Sequence, residues 1–202
     1  AIDAENGQAI TTFGENGRVD LMANLRQREG AELVGTVGST TPPTIVNGVI
    51  VIGPSLAAGF RPASMINTPG DVQAFDVLTG SLKWIFHTIP EDDEPGAETW
   101  EQGSNNYTGN TGVWSSISAD PELGNGDGYV FLPVEVPTND YYGGHRPGDN
   151  LYGNSVVALN VQTGEKVWHY QVVHHDIWDY DLPAAPILMD VTIEGQDRKI
   201  LV

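Results

Sequence analysis

The chain has 202 residues, no cysteine, 24 glycines and 13 prolines, and 27 acidic against 9 basic side chains for a formal charge of −18. That charge disfavours nucleic-acid phosphates and anionic membrane surfaces as partners; the missing cysteines exclude disulfides, thiolate metal sites and cysteine nucleophiles. A hydrophobic content of 40% with abundant turn residues fits a folded, strand-rich protein in which helix is scarce.

The chain opens on Ala1-Ile-Asp3-Ala-Glu-Asn6-Gly7, which has the pattern of a strand running into a turn and carries Thr11 four residues after the glycine. Next comes Thr44-Ile-Val-Asn-Gly-Val-Ile-Val-Ile52, where Asn47-Gly48 between β-branched runs predicts a hairpin. The opening motif then returns in full as Ala74-Phe-Asp-Val-Leu-Thr-Gly-Ser-Leu-Lys-Trp84, and again as Ala158-Leu-Asn-Val-Gln-Thr-Gly-Glu-Lys-Val-Trp168. Each copy reads as a strand, a turn capped by Asp or Asn with a glycine at positive φ, and a return strand bearing Trp. Gly128-Tyr-Val-Phe-Leu-Pro133 is another strand before the last copy, and Leu123-Gly-Asn-Gly-Asp-Gly-Tyr129 an expanded hairpin loop leading into it.

Two hairpins per repeat make a four-stranded antiparallel blade, so the expected fold is all-β, a partial β-propeller of about three blades, with Trp84 and Trp168 as packing residues between blades. Residues 1–202 are expected to form one propeller domain truncated at both ends. Lys199-Ile-Leu-Val202 is read as the opening strand of a further blade. The spacing leaves long loops, Pro54 to Pro69, Pro90 to Gly112 and Pro133 to Asn154, and long loops in a compact fold usually carry function.

The last loop is the richest in chemistry. Gln171-Val-Val-His-His-Asp-Ile-Trp-Asp-Tyr-Asp-Leu-Pro-Ala-Ala185 gathers two histidines and three carboxylates among aromatics. A carboxylate in such a setting suits a general base or a metal ligand, and a solvated acidic turn is the bland alternative.

The repeat resembles the tryptophan-docking motif of the pyrroloquinoline quinone (PQQ) dependent dehydrogenases, eight-bladed propellers of the methanol, alcohol and glucose dehydrogenase family. Asn110-Thr-Gly-Val-Trp114-Ser, Pro137-Thr-Asn-Asp-Tyr-Tyr-Gly-Gly-His-Arg-Pro-Gly-Asp-Asn150 and His174-His-Asp-Ile-Trp-Asp-Tyr-Asp-Leu-Pro183 are similar to the membrane-type glucose dehydrogenase branch. The resemblance implies PQQ- and Ca²⁺-dependent oxidation of a sugar, polyol or other alcohol hydroxyl, with electrons leaving to a membrane quinone or a cytochrome. It implies a periplasmic protein, held at a membrane by a segment outside these residues, and a piece that is inactive by itself.

By position the resemblance makes Asp179 the general base beside Ca²⁺, with Asp176 and Asp181 as alternatives in the same acidic segment. It makes Trp114 the flat indole floor beneath the quinone. Thr138 falls at a metal-ligand position and the neighbouring Asn139 offers an amide oxygen of the kind Ca²⁺ accepts, so either can be the ligand. Arg61 is a candidate for a cofactor carboxylate. His174 and His175 can shape the pocket, although adjacent histidines are more often structural. Where the family branch carries an Asp-Asn pair, this chain has Gly59-Phe-Arg-Pro-Ala-Ser64, so a third metal contact and glucose itself do not follow. A noncatalytic propeller, of the kind that scaffolds outer-membrane protein assembly, is the rival expectation.

Overall fold

The computed structural model describes residues 1–31, 37–56 and 64–202. Its strands are β1 (Val37–Gly38), β2 (Thr44–Val46), β3 (Val49–Ile52), β4 (Ser55–Leu56), β5 (Val72–Asp76) and β6 (Leu82–Phe86), then β7 (Ser118–Asp120), β8 (Tyr129–Pro133), β9 (Ser155–Asn160), β10 (Lys166–Gln171), β11 (Leu188–Ile193) and β12 (Gln196–Leu201). They form two four-stranded antiparallel sheets in the orders β2-β3-β5-β6 and β7-β8-β9-β10, a β11-β12 hairpin and a short β1-β4 pair. These are two complete propeller blades and one hairpin of a third. Among the described residues helix is confined to short 3₁₀ turns, and none is long and apolar enough to cross a membrane.

The turn of the repeated motif is built twice from the same bonds and once, in the opening copy, with one bond fewer. In the first full copy the Asp76 carboxylate accepts the N–H groups of Leu78 (3.1 Å) and Thr79 (2.8 Å), and the Gly80 N–H closes onto the Asp76 carbonyl at 2.8 Å. Asn160 does the same for Gln162, Thr163 and Gly164, and Asp3 for Glu5 and Gly7. The three glycines lie at φ 72°, 75° and 74°, a conformation that any Cβ disfavours. Asn47 (φ 46°) and Gly48 (φ 78°) make the expected two-residue hairpin between β2 and β3.

The core lies between the two sheets. Val49, Val51, Val72 and Ala74 from the first meet Val130, Leu132, Val157, Leu159 and Val161 from the second, all of them buried. Each aliphatic side chain larger than Ala contributes roughly 1.5–3 kcal/mol by leaving water. Trp84 joins the blades directly. Its ring covers Gly164 so closely that a Cβ there would sit 2.6 Å from Cδ2, and its Nε1 donates to the Val161 carbonyl at 2.8 Å. Glycine at 164 is thus required twice, for its φ and for the indole above it.

Trp168 occupies the equivalent register, opposite Ala158 as Trp84 is opposite Ala74, but it is 38% exposed where Trp84 is 8%. The expectation that both are core residues holds for Trp84 only, because no turn of a following blade covers Trp168 among the described residues. At the other end, the place that a tryptophan would take over Gly80 is filled by Phe13, whose ring would lie 3.1 Å from a Cβ there, and not by Thr11.

A second correction concerns the C-terminal strand. Lys199 to Leu201 lie in the second strand of the last hairpin, not in an opening strand, because Glu194 (φ 51°) and Gly195 (φ 76°) already turn the chain. A Glu in the left-handed region is uncommon, which hid the turn. The hairpin is tied back to the second blade by Lys199, whose ammonium lies 2.7 Å from the Asp120 carboxylate, and by Ser118 donating to the Pro186 carbonyl. Those ties fix the C-terminal end of the loop between β10 and β11.

Candidate functional site

Three loops meet beside the second blade: residues 109–115 before β7, 137–150 after β8, and 172–187 after β10. Asn110 stitches the first two, bridging Pro69 on one side and Pro137 on the other, and its Nδ2 donates to the Val136 carbonyl at 2.9 Å. The backbones pack so tightly here that a Cβ on Gly70 would lie 2.3 Å from the Gly112 Cα.

The three carboxylates of the last loop do different work. Asp176 is buried, and its two oxygens accept the N–H groups of Trp178 (2.9 Å) and Tyr180 (2.8 Å) and the Asn154 amide (3.0 Å). It shapes the loop from inside. Asp181 accepts the Val136 N–H at 3.0 Å and the Trp114 indole N–H at 3.1 Å. Burial raises its affinity for a proton, partly offset by those two donors. Asp179, between them, adopts φ 63° and is exposed at the tip, where one oxygen accepts the Tyr141 hydroxyl at 3.0 Å.

Trp114 is half-buried and held from three directions. Its indole N–H is fixed by Asp181, its carbonyl accepts the Thr40 hydroxyl at 2.9 Å, and the next residue, Ser115, donates to the Leu182 carbonyl at 3.0 Å. Trp114 and the loop carrying Asp179 are therefore one unit. Thr138 is nearly buried, with its hydroxyl oxygen accepting the Gly109 N–H at 3.3 Å, and Asn139 beside it is half-buried. His175 donates through Nδ1 to the Gly148 carbonyl at 2.8 Å and packs on Gly143, a structural role, while His174 is exposed. Arg61 lies outside the described residues.

Four groups that matter here were not singled out from sequence. Glu135 is a buried carboxyl that accepts the Gly112 N–H at 3.0 Å; loss of hydration, then the charge of Asp181, pushes its pKa well up. Asp140 is raised for the same first reason, and next by Asp179 and Asp181. Tyr141 holds Asp179. Arg146 is fully buried and bonds to backbone of the loop after β8 and of the loop after β10. The one legible signal was an arginine amid a loop otherwise rich in glycine and acid.

The implied cofactors fit this chemistry. A hard divalent cation would find neutral oxygens at Thr138 and Asn139 and a carboxylate at Asp179, with Asp140 and Asp181 adding negative charge nearby. The buried Asn110 Oδ1 is a further oxygen with no hydrogen-bond partner. Among the described residues no three His, Cys, Asp or Glu side chains are already clustered as a metal cage, so the neutral oxygens would be needed. A flat quinone would find a fixed indole face at Trp114.

All residues from 1 to 202 match the family model described as PQQ: Glucose/ethanol/alcohol dehydrogenase, beta-propeller domain. The chain is 38% identical to the quinoprotein glucose dehydrogenase of Escherichia coli K12, covering 100% of this chain and 24% of that protein. It is 34% identical to the glycerol dehydrogenase large subunit of Gluconobacter oxydans, over 98% of this chain and 24% of the relative. Among solved structures, a quinohemoprotein alcohol dehydrogenase from Pseudomonas putida HK5 superposes with a TM-score of 0.73 at 31% identity, covering 99% of this chain and 27% of that one. The chain thus spans about a quarter of the length of the curated relatives it matches.

Proposed function

Because the chain belongs to the PQQ-dependent glucose/ethanol/alcohol dehydrogenase β-propeller family, we propose that it supplies part of the catalytic face of an enzyme that oxidises the hydroxyl of a sugar, polyol or other alcohol. The proposed cofactors are PQQ and Ca²⁺. When bound, the quinone takes up a hydride and the cation acts on it as a Lewis acid. Trp114 offers the flat face for the ring. Thr138 and Asn139 hold the cation, and Asp179 accepts the proton of the substrate hydroxyl as its carbon is oxidised to a carbonyl.

The observation that carries this reading is the division among the three loop carboxylates. Asp176 is consumed by the backbone of its own loop and Asp181 by Trp114 and Val136, whereas Asp179 is exposed and bonded to a single phenol. A general base must be reachable by its substrate, and Asp179 is the member of the trio that is. What favours an enzyme over a noncatalytic scaffold is the match of the whole chain to a dehydrogenase family. We further propose that the chain acts within a longer propeller and is inactive alone, in a periplasmic, membrane-associated protein whose electrons pass to a membrane quinone or a cytochrome.

The test is Asp179→Asn in the complete protein, assayed for quinone reduction at saturating Ca²⁺ with PQQ occupancy measured. The amide is nearly isosteric and tolerates the positive φ, so the fold should persist while the rate falls by ~10²–10⁴-fold. A fully loaded variant that turns over at the wild-type rate would remove Asp179 as the base.

A further inference from the structure

Arg146 is a cation with no exposed surface in a chain that has only 9 basic side chains, and it makes no hydrogen bond to a carboxylate. Four of its five N–H donors are spent, three on peptide carbonyls and one on a side-chain amide. Nε donates to the Thr138 carbonyl at 3.1 Å, Nη2 to the Asn139 carbonyl at 3.1 Å and to the Asp176 carbonyl, and Nη1 to Asn150 Oδ1 at 2.7 Å. Asn150 answers by donating through Nδ2 to the Arg146 carbonyl at 2.8 Å, so the side chain is locked at both ends. Burial lowers its pKa to about 10, so it remains charged at neutral pH, helped by Asp176 and Asp140 nearby.

The targets of that fork are informative. Thr138 and Asn139 belong to the loop after β8, Asp176 to the loop after β10, and the guanidinium plane is the hydrogen-bonded link that joins all three backbones. Fastening loops to an apolar core would need only a hydrophobic side chain. Here a desolvated cation is spent on three carbonyls, two at the proposed metal contacts and the third close in sequence to Asp179. A planar fork fixes direction as well as distance, which a lysine ammonium does not.

We propose that Arg146 is a positioning residue that sets the span between the Thr138–Asn139 contacts and Asp179, and so presets the oxygen cage for a divalent cation. This rests on the functional reading above. Groups behind metal ligands typically tune affinity by ~10–100-fold, and Arg146 should fall in that range.

The experiment is calorimetric titration of Ca²⁺ alone into the metal-free complete protein, for wild type, Arg146→Lys and Trp84→Phe. Arg146→Lys should bind Ca²⁺ at least ~10-fold more weakly at a temperature where circular dichroism shows it folded. Trp84→Phe should lose thermal stability with its Ca²⁺ affinity unchanged. A folded Arg146→Lys with wild-type Ca²⁺ affinity overturns the proposal, however much its melting temperature drops. If Arg146→Lys does not fold, Asn150→Ser loosens the fork without removing the charge; weaker Ca²⁺ binding supports the proposal and unchanged binding overturns it. Asp179→Asn in the same assays separates the two ideas. Wild-type turnover and Ca²⁺ affinity in Asp179→Asn would sink the functional reading, whereas its failure beside a normally binding Arg146→Lys would sink the positioning role alone.

Discussion

The indole N–H of Trp84 donates to the carbonyl of Val161 in the following blade, and the indole ring closes over Gly164 of the same turn. Trp168, in the matching position one blade later, has no such partner among the described residues. Replacing Trp84 by Ala should therefore cost about 3–5 kcal/mol of stability, and Trp168→Ala in this 202-residue chain clearly less. Denaturant unfolding of both variants checks the order, and equal losses would contradict the docking role.

Asp176 and Asp179 should separate cleanly by substitution. Asp176→Ala strands two loop N–H groups and the Asn154 amide, at about 1–3 kcal/mol for each group left unsatisfied; Asp176→Asn should fall between it and the wild type. Asp179→Asn should stay within about 0.5 kcal/mol, as exposed substitutions do. Thermal melts of the three variants decide this, and a large loss at Asp179 would show that its side chain holds the loop.

For the quinone, Trp114→Ala should weaken PQQ retention in the complete protein more than Trp168→Ala does. Trp114→Phe should lie between, because it keeps a flat face but loses the N–H that Asp181 grips. Retention by folded variants in a PQQ titration is the readout; indistinguishable values would remove Trp114 as the floor.

Glu135 provides a prediction in pH. Its folded-state pKa is raised by burial and by Asp181, so between its unfolded value and its folded value the native state holds a proton that the unfolded state has lost. Its stabilising contribution is complete below the unfolded pKa and declines as pH rises towards the folded one. Glu135→Gln keeps an oxygen for the Gly112 N–H and cannot ionise. In metal-free buffer the variant should match the wild type near pH 4.5 and become progressively more stable above it. Parallel melting curves across that range would show that Glu135 is not held protonated.

The blades were legible because their signals are local. An Asp or Asn, a glycine four residues on and a Trp four beyond that specify a turn and a docking contact within one short window, and Asp76, Gly80 and Trp84 adopt the bonds that this pattern predicts. Phe13 was missed since its equivalence to Trp84 is spatial: it reaches Gly80 from a different register than Thr11 occupies. The Glu194-Gly195 turn was missed because Glu rarely takes positive φ.

The functional loops were legible as a set but not in their division of labour. Three aspartates within six residues look alike in a string of letters. What distinguishes them is which backbone N–H groups each can reach, and those belong to Trp178, Tyr180 and Val136, positions fixed only by the folded loops. Arg146 and Glu135 were passed over for a related reason. Charged side chains are read as solvated by default, and only the packing of three loops around them shows otherwise.

The tryptophan contact also has a direction in time. The Trp84 indole is covered by a turn made later in the chain, and 77 residues separate it from the carbonyl that receives it. At ribosomal speeds of roughly 5–20 residues per second, Trp84 stays wet for about 4–15 s after it is synthesised. During that interval the emerging sheet presents an uncovered aromatic and an unpaired edge, which is the stretch of biogenesis in which a chaperone, or a neighbouring nascent chain, would find it.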